Sequence, residues 1–297
     1  MGLLKNKGKV FQQNLEEKDF APGMIFMVHL LMEEMCDMPE KELMHGIMKK
    51  HFGDVDCFCY DEKVAGFAPN KYKVHYTDAD KDIPPQLMIM GCIENQQPVM
   101  DEIAASQTWD CPESEEILEA CKYQVVATDM MAAGLDYKER GEMLVNYIEA
   151  LVEIFPTCKA VVFETSKKML LRETIAECQI PQESRFIYYA VNVRFFNIQG
   201  GSDMVVDSVG MSTLFIPDVQ YHFHDLDANA VVNHAYNMLS YMYDAGNPIK
   251  SNDHIDGIEN GSMSLNVQWN VQYEESLIQP IREVLDINTG EFAAGER

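Results

Sequence analysis

The chain has 297 residues, of which 47% are apolar, 24% charged and 10% aromatic. These proportions are typical of a globular protein. They exclude a disordered chain and, because no apolar run is long enough to cross a bilayer, a membrane-spanning one. With 48 acidic against 23 basic residues the formal net charge is -25, which argues against nucleic acid and anionic membranes as partners and leaves a basic protein as the favoured one.

The acidic residues also have a simpler interpretation, as a charged surface that keeps the chain soluble and monodisperse. They fall in short groups, such as the acids of 78–82 and 113–119, and form no long tract. This scatter disfavours mimicry of DNA.

The expected compartment is the cytoplasm. Residues 1–20 contain basic side chains but no apolar stretch of signal-peptide length, and Asn6 stands where a myristoylation signal needs Ser or Thr. A reducing compartment predicts that the eight cysteines are free thiols and form no disulfide framework.

Apolar runs and helical periodicity predict alternating strands and helices over the first part of the chain. The predicted strands cover 24–33, 55–60, 63–68, 71–76, 84–94, 123–131 and 160–164. The predicted helices run from Glu40 to Gly53, from Pro98 to Lys122 with a break at Cys111-Pro112, over 136–155, and over 166–179. The helix over 136–155 has the clearest pattern, with Asp136 as its cap.

The later part of the chain reads mainly as strand. Residues 185–198 and 203–211 are β-rich and flank Gln199-Gly200-Gly201-Ser202, which predicts a hairpin. A strand follows over 219–224, then a helix from Asp227 to about Tyr243, and an alternating strand over 262–273.

These elements predict an α+β fold, in which helices pack on one face of a mixed, largely antiparallel sheet. The chain shows no repeat and no Pro/Gly/Ser linker, so we expect two lobes without a clear linker, over residues 20–181 and 182–287. Residues 288–297 are expected to be a mobile tail.

Residues 207–257 carry a recognisable order of features: a small residue and glycine, an apolar strand, a Pro-acid pair, a helix and a late Asp-Gly. The residues concerned are Ser208, Gly210, Pro217, Asp218, Asp256 and Gly257. In this order the segment resembles the family called domain of unknown function 4261, and the pattern around Trp109 is similar to full-length members. The resemblance implies a fold and a bacterial setting, and supplies no catalytic residues.

The most suggestive local motif is Tyr221-His222-Phe223-His224-Asp225, because residues two apart on a strand point to one face. His222 and His224 could therefore share a metal ion, with further ligands from elsewhere. Those further ligands would come from His234, His254 or Asp256. The alternative, without a metal ion, is a pair of partly exposed histidines that are hydrogen-bonded to nearby acidic residues. The candidate binding residues are thus His222, His224, Asp225, Asp218 and Asp256.

Other constellations favour structural roles. Cys57 and Cys59, with Cys92 as a third ligand, would make a weak zinc site because no CxxC pair exists, and buried thiols explain them better. A cysteine–histidine nucleophile remains open, while the common hydrolase, nucleotide and zincin motifs are absent from the sequence. The 20 methionines are explained mainly as core residues, with an adaptable binding surface as the alternative.

The sequence thus favours a non-enzymatic cytoplasmic binding protein, one that neutralises or accompanies a basic protein partner and needs no cofactor. A metal-dependent enzyme using His222 and His224, with Asp225 or Asp256 as third ligand or base, is the alternative. A third possibility is that the chain is a subunit of an assembly. No catalytic residue is assigned, and the sequence leaves the oligomeric state open.

Overall fold

The structure, a computed structural model, describes Val10, residues 25–77 and residues 80–295. The chain divides into two compact units, with the division between Ala190 and Val191. The first residues of the predicted N-terminal lobe, 20–24, and the last two of the predicted tail lie outside the described residues. Within the described ranges, no helix combines the length and apolarity that a membrane crossing needs.

The first unit is built on an antiparallel sheet. Its strands are β1 (Met27–Met32), β2 (Val55–Tyr60), β3 (Val64–Pro69), β4 (Val74–Tyr76), β5 (Lys81–Ile83), β6 (Gln86–Met90), β7 (Ile93–Glu94), β8 (Tyr123–Met130), β9 (Ala160–Phe163) and β10 (Lys168–Leu171). The sheet order is β10-β9-β1-β8-β6-β3-β2, with β7 also paired to β8, while β4 and β5 form a separate hairpin. Apolar runs form the central strands: β9 is wholly buried, and β1 is mostly buried.

The helices of this unit are α1 (Lys41–Phe52), α2 (Glu102–Ser106), α3 (Ser114–Ala120), α4 (Tyr137–Ile154), α5 (Arg172–Ala176) and α6 (Arg185–Ala190). The carboxylate of Asp136 caps α4 by accepting a hydrogen bond from the backbone N–H of Lys138. The Tyr147 hydroxyl anchors α4 to the sheet by donating a 2.8 Å hydrogen bond to the carbonyl of Met88. α1 packs beside α4.

Segment 99–121 contains the two short helices α2 and α3, interrupted as predicted at Cys111-Pro112. Together with β1, β9 and β10 it encloses a cluster of buried side chains. The cluster contains Leu31, Met100, Cys111, Cys121, Ala160, Val162 and Met169. Apolar side chains of the segment, Ile117 and Leu118 among them, pack against this cluster.

Two stretches differ from their predicted structure. Residues 166–179 were expected to be one helix, but they form β10 and then the short α5. β10 pairs with β9 in a tight hairpin, in which Lys167 adopts a φ of 51°. The start of the expected strand over 185–198 is instead the helix α6, because a short apolar run fits a buried helix as well as a strand.

α6 also explains why the division follows Ala190, whereas the lobes were predicted to meet near Pro181. Arg185, at the start of α6, donates a 2.6 Å hydrogen bond to the Glu149 carboxylate on α4. The Tyr189 hydroxyl donates to the same carboxylate at 3.1 Å. These bonds tie α6 to the first unit.

The described part of the second unit contains a six-stranded sheet and one long helix. Its elements are β11 (Asn192–Asn197), β12 (Met204–Val209), β13 (Asp218–Phe223), α7 (Ala228–Ala245), β14 (His254–Glu259), β15 (Ser262–Glu275) and β16 (Glu283–Asn288). The order is β11-β12-β13-β16-β15-β14, and only the β13–β16 pair in it is parallel. α7 begins at its cap Asp227, ends at Gly246 and packs against this sheet.

The described residues after β16 are bonded to the end of β13. A single 3-10 turn, Gly290–Phe292, follows the strand. The carbonyl of Phe292 then accepts a 2.9 Å hydrogen bond from the backbone N–H of His224, and Ala294 N–H donates to the His222 carbonyl at 3.0 Å. Residues 292–294, which were predicted to belong to a mobile tail, thus extend the pairing at the edge of β13.

Helices and mostly antiparallel sheets together confirm the predicted α+β class. The doubly wound parallel sheet that the sequence argued against would place parallel neighbours throughout. Here the consecutive strands β11, β12 and β13 run antiparallel, as does the β14–β15 hairpin.

Candidate functional site

Strand β13 in the second unit holds two of the predicted site residues and sends its side chains to opposite faces. Tyr221 contacts His234 on α7, so one face of the strand looks towards the helix. The side chains of Asp218 and His222 lie on the opposite face of the strand. The two faces have different chemistry, and each is described in turn.

Asp218 is fully buried and is bonded on both oxygens. Its Oδ1 accepts hydrogen bonds from the hydroxyl of Ser208 at 2.8 Å and from the backbone N–H of Met211 at 3.2 Å. Its Oδ2 lies 3.3 Å from Nε of Arg282 and accepts a longer bond from the N–H of Gly210. Asp218 therefore holds the turn between β12 and β13 in place.

Asp207 on β12 extends this network. It is fully buried and accepts hydrogen bonds from Arg194 Nε at 2.8 Å and from Arg282 Nη2 at 2.8 Å. Arg194 also donates to the carbonyl of Gln279. Two arginines and two aspartates thus alternate through the interior of the second unit, and we call these four residues the buried ion network.

The pKa values of the two carboxyls move in opposite directions. Burial alone would raise the pKa of Asp207, but the charges of Arg194 and Arg282 outweigh it and lower the value. Burial raises the pKa of Asp218, and its single arginine together with the bond from Ser208 does not compensate. The difference follows from the number of guanidinium groups that each carboxyl faces.

The arginines of the network were not among the predicted site residues. A signal for them was available, because Asp207 and Asp218 stand in apolar strand segments, where a carboxylate needs a cationic partner. The apolar run around Arg194 offers one partner. Nothing local to Arg282 marks it as the other.

The opposite face of β13 contains a neutral hydrogen-bonded chain. The Tyr221 hydroxyl donates to Nδ1 of His234 at 2.8 Å, and Nε2 of His234 donates to the carbonyl of Asp256 at 2.7 Å. The imidazole also packs on Trp269, with ring centroids 5.1 Å apart. Burial lowers the pKa of His234, so the ring is neutral at pH 7.

Gly257 follows Asp256 at a point where two side chains lie over the backbone. A Cβ at this position would be 2.7 Å from Val267 Cγ1 and 2.8 Å from Cε2 of Trp269. The pairing register of β14 and β15 also shifts between Asp256 and Gly257. Packing thus requires glycine at position 257, while the Asp256 carboxylate accepts a 2.9 Å bond from the Gln268 amide.

His222 lines a cavity of about 170 Å³ on the side of β13 away from α7. Asp286 and Asn288 of β16 line the same cavity, and backbone close to Gly295 lies over the ring. His222 Nε2 is 3.8 Å from the carboxylate of Asp203. This small polar cavity is the concave feature nearest to the predicted histidine motif.

His224 lies beyond the end of β13, in the bend that precedes α7. Its Nδ1 is 3.3 Å from Oδ2 of Asp225, which is an ion-pair distance without hydrogen-bond geometry. Asp225 adopts a φ of 54° and is 77% exposed. His254, at the start of edge strand β14, is also exposed.

The four histidines therefore occupy four environments. His222 faces a cavity, His224 faces Asp225, His234 is enclosed by Tyr221 and Trp269, and His254 faces solvent. Over the described ranges, no three groups among His, Cys, Asp and Glu are placed to hold a metal ion.

Comparison with known proteins bears on this unit alone. Residues 207–288 match the family described as Domain of unknown function (DUF4261). The match confirms the resemblance over that part of the chain. No curated protein and no solved structure matches the chain.

The DUF4261-like segment runs from Asp207 to the end of β16, so it contains most of the buried ion network and all of the His234 chain. Of the residues that carry the resemblance, Ser208, Gly210 and Asp218 meet at one turn, and Asp256 and Gly257 meet His234 and Trp269. Their contacts explain them as supports of the fold.

The cysteines in the described ranges are free. Cys111, Cys121 and Cys158 are buried, and burial raises the pKa of Cys158 to about 12. Cys57 and Cys59 are half-buried and are separated by a register irregularity in β2, so they do not form the simple two-residue pair that the sequence suggested. Cys57 donates to the carbonyl of Cys59.

The first unit contains a stretch in which every charged residue is acidic, and we call it the acidic segment (residues 101–119). Between residues 82 and 121 the sequence contains no Lys or Arg. The exposed carboxylates of the segment are Asp101, Glu102, Asp110, Glu113, Glu115, Glu116 and Glu119. Asp110 pairs with the buried Lys168 at 3.0 Å, whereas the three glutamates of α3 have no cationic partner in the described part of the chain.

Proposed function

We propose that the chain is a non-enzymatic binding protein that takes a basic protein partner on its acidic segment. The observation that carries the proposal is the row of exposed glutamates on α3, Glu115, Glu116 and Glu119, within a stretch that lacks any basic residue. Glu115 and Glu119 are four apart on the helix, where like charges repel. A bound cationic surface would remove that repulsion.

The rest of the molecule supports this role in two ways. At low ionic strength the net charge of -25 gives a field that attracts a basic protein and speeds its encounter. The buried polar groups of the DUF4261-like segment, such as Asp218 and His234, are engaged in hydrogen bonds of the fold. Neither is left to act on a substrate.

We place this function in the cytoplasm, in a bacterial setting as the family resemblance implies. The free cysteines support a reducing compartment, since exported proteins commonly oxidise such thiols.

The test compares two triple variants with the same change in charge. E115Q/E116Q/E119Q removes three carboxylates from the acidic segment, and E62Q/E183Q/E275Q removes three exposed ones elsewhere. Each protein is used as bait in a bacterial lysate at low and at high salt. We expect a basic protein to be retained at low salt by the wild type and by the second variant, and to be lost from the first.

Two results would contradict the proposal. One is that no salt-sensitive basic protein is retained by the wild type. The other is that both triple variants retain it equally, since the acidic segment would then contribute nothing beyond its share of the net charge.

The metal-dependent enzyme using His222 and His224 stays a prediction. The observation in its favour is that His222 shares a cavity with Asp286. Elemental analysis of the purified protein tests it: a full equivalent of zinc, iron or manganese that falls in H222Q would support it. Less than a tenth of an equivalent, with no thermal shift on adding metal, would remove it.

A further inference from the structure

The first unit contains a cavity of about 320 Å³ where the end of α1 meets α4, α5 and the start of α6. Its size falls at the lower end of the range for small-molecule sites. The lining residues come from all four helices. The apolar part of the wall is formed by Val152, Ile175 and Ala176.

The charged part of the wall is mainly basic, in contrast with the whole chain. Lys50, Arg172 and Arg185 line it with the imidazole of His51, against the two carboxylates of Glu149 and Glu153. The three fixed positive charges exceed the two negative ones. We call this cavity the basic cleft.

The two carboxylates bind only some of the hydrogen-bond donors of these basic side chains. Glu153 accepts hydrogen bonds from both Lys50, at 2.7 Å, and His51, at 3.0 Å, and these bonds lower its pKa. Glu149 accepts from Arg185. One carboxylate is therefore shared by Lys50 and His51, and the ammonium group of the 65% exposed Lys50, which bonds both oxygens of Glu153, has one further donor available.

Arg172 is the cation with the most remaining capacity. Its Nε donates to the carbonyl of Val152 at 3.2 Å, which fixes the side chain against α4. Its Nη1 lies 3.6 Å from Glu173, outside hydrogen-bond distance. In the described part of the chain Nη2 has no hydrogen-bond partner, and the side chain is 23% exposed. A guanidinium held at one end and open at the other suits an anion.

We propose that the basic cleft binds a small organic anion, with a phosphate or carboxylate group bound by Arg172 and Lys50 and an apolar part against Val152 and Ile175. The negative charge of the rest of the chain does not prevent this. At physiological ionic strength charges are screened over about 8 Å, so the nearest side chains dominate.

Calorimetric titration of the full chain with inorganic phosphate, phenyl phosphate and benzoate tests the proposal. We expect saturable binding, with phenyl phosphate tighter than inorganic phosphate because its ring contacts the apolar wall. Comparison of phenyl phosphate with benzoate then distinguishes a phosphate site from a carboxylate site. Absence of saturable binding for all three probes would overturn the proposal.

Variants separate the site from non-specific charge. R172Q should weaken binding at least about tenfold, because it removes a charge-assisted contact. K63Q, which removes an exposed cation elsewhere in the same unit, should leave the affinity unchanged. Equal affinities of the wild type and R172Q would refute the assignment.

Two further variants guard against a folding defect in R172Q. K50Q alters an exposed side chain and should weaken binding several-fold. E153Q removes the carboxylate that competes for Lys50 and His51, so it should strengthen binding. A gain of affinity cannot result from misfolding, and an unchanged affinity in both variants would count against the basic cleft.

Discussion

Arg282 and Asp218 form a buried ion pair inside the second unit, with Nε of the guanidinium 3.3 Å from Oδ2 of the carboxylate. Each side chain is at most 2% exposed. Arg282 also bonds Asp207, so a single arginine joins the carboxyls of β12 and β13. A charge in such surroundings is tolerated only while its partners are present.

Arg282→Gln is therefore expected to destabilise the second unit strongly. The substitution leaves Asp218 without an arginine partner and Asp207 with Arg194 alone. Removing one partner of a buried ion pair costs about 3–5 kcal/mol. Urea unfolding followed by Trp269 fluorescence in a Trp109→Phe background measures this unit, because Trp269 is 2% exposed. Lys250→Gln, an exposed cation of the same unit, should stay within about 0.5 kcal/mol of the parent.

The two aspartates should differ in the cost of neutralisation at pH 7. Asp207→Asn leaves two arginines without their shared carboxylate and should cost about 3–5 kcal/mol. Asp218→Asn should cost less, about 1–3 kcal/mol, because the pKa of this carboxyl is already raised and an amide resembles its neutral form. Equal costs in urea unfolding would show that the arginines do not distinguish the two groups.

The pH dependence follows from the same pKa directions. The folded pKa of Asp207 is lowered, so its contribution to stability is present above the unfolded pKa of about 3.9 and is lost as pH falls through the folded value. The raised pKa of Asp218 acts in the opposite sense, and its ionisation costs stability as pH rises. The difference in the free energy of unfolding between Asp207→Asn and the parent should therefore become smaller below about pH 4.

The sequence predicted the elements whose pattern is strictly local. α4 and α7 were found from their apolar periodicity and their caps Asp136 and Asp227, both of which accept the expected hydrogen bonds. The prediction of a helix over 166–179 was wrong, because the hairpin turn at Lys167 produces no periodic pattern of apolar residues in the sequence. On α1 the buried side is provided by Met44 and Met48, and Leu43 is 55% exposed.

The site was less accessible to sequence reasoning, because its partners are distant along the chain. The rule of two-residue alternation predicted a shared face for His222 and His224, but β13 ends at Phe223 and the rule ends with it. Asp218 was identified as a candidate, yet its ligand is a protein side chain, Arg282, from the loop before β16. Pairings of this kind depend on the sheet order.

Gly257→Ala should destabilise the second unit by about 1–3 kcal/mol, since the new methyl group would overlap Val267 and Trp269. Thermal unfolding monitored through Trp269 measures the effect. Gly201→Ala provides the control: its Cβ would meet nothing closer than 3.8 Å, so a change within about 0.5 kcal/mol is expected. Similar effects for the two substitutions would contradict the packing explanation of the Asp-Gly pair.

His234 should make the stability of the second unit depend on pH in the acidic range. Its folded pKa is lowered by burial, so the unfolded chain, with a pKa of about 6.5, takes up a proton before the folded one does. The stabilisation is therefore complete above about pH 6.5 and is lost as pH falls, by at most about 1.4 kcal/mol per pH unit.

The measurement is the free energy of unfolding of the wild type and of His234→Gln between about pH 5 and pH 8. The difference between them isolates this ring, because the other histidines contribute to both proteins. We expect the substitution to cost most above pH 7 and progressively less at lower pH. A cost that is independent of pH would mean that folding does not shift the pKa of this ring, and a cost that is largest at low pH would mean that the ring is charged in the fold; either result would contradict a neutral His234 between Tyr221 and the Asp256 carbonyl.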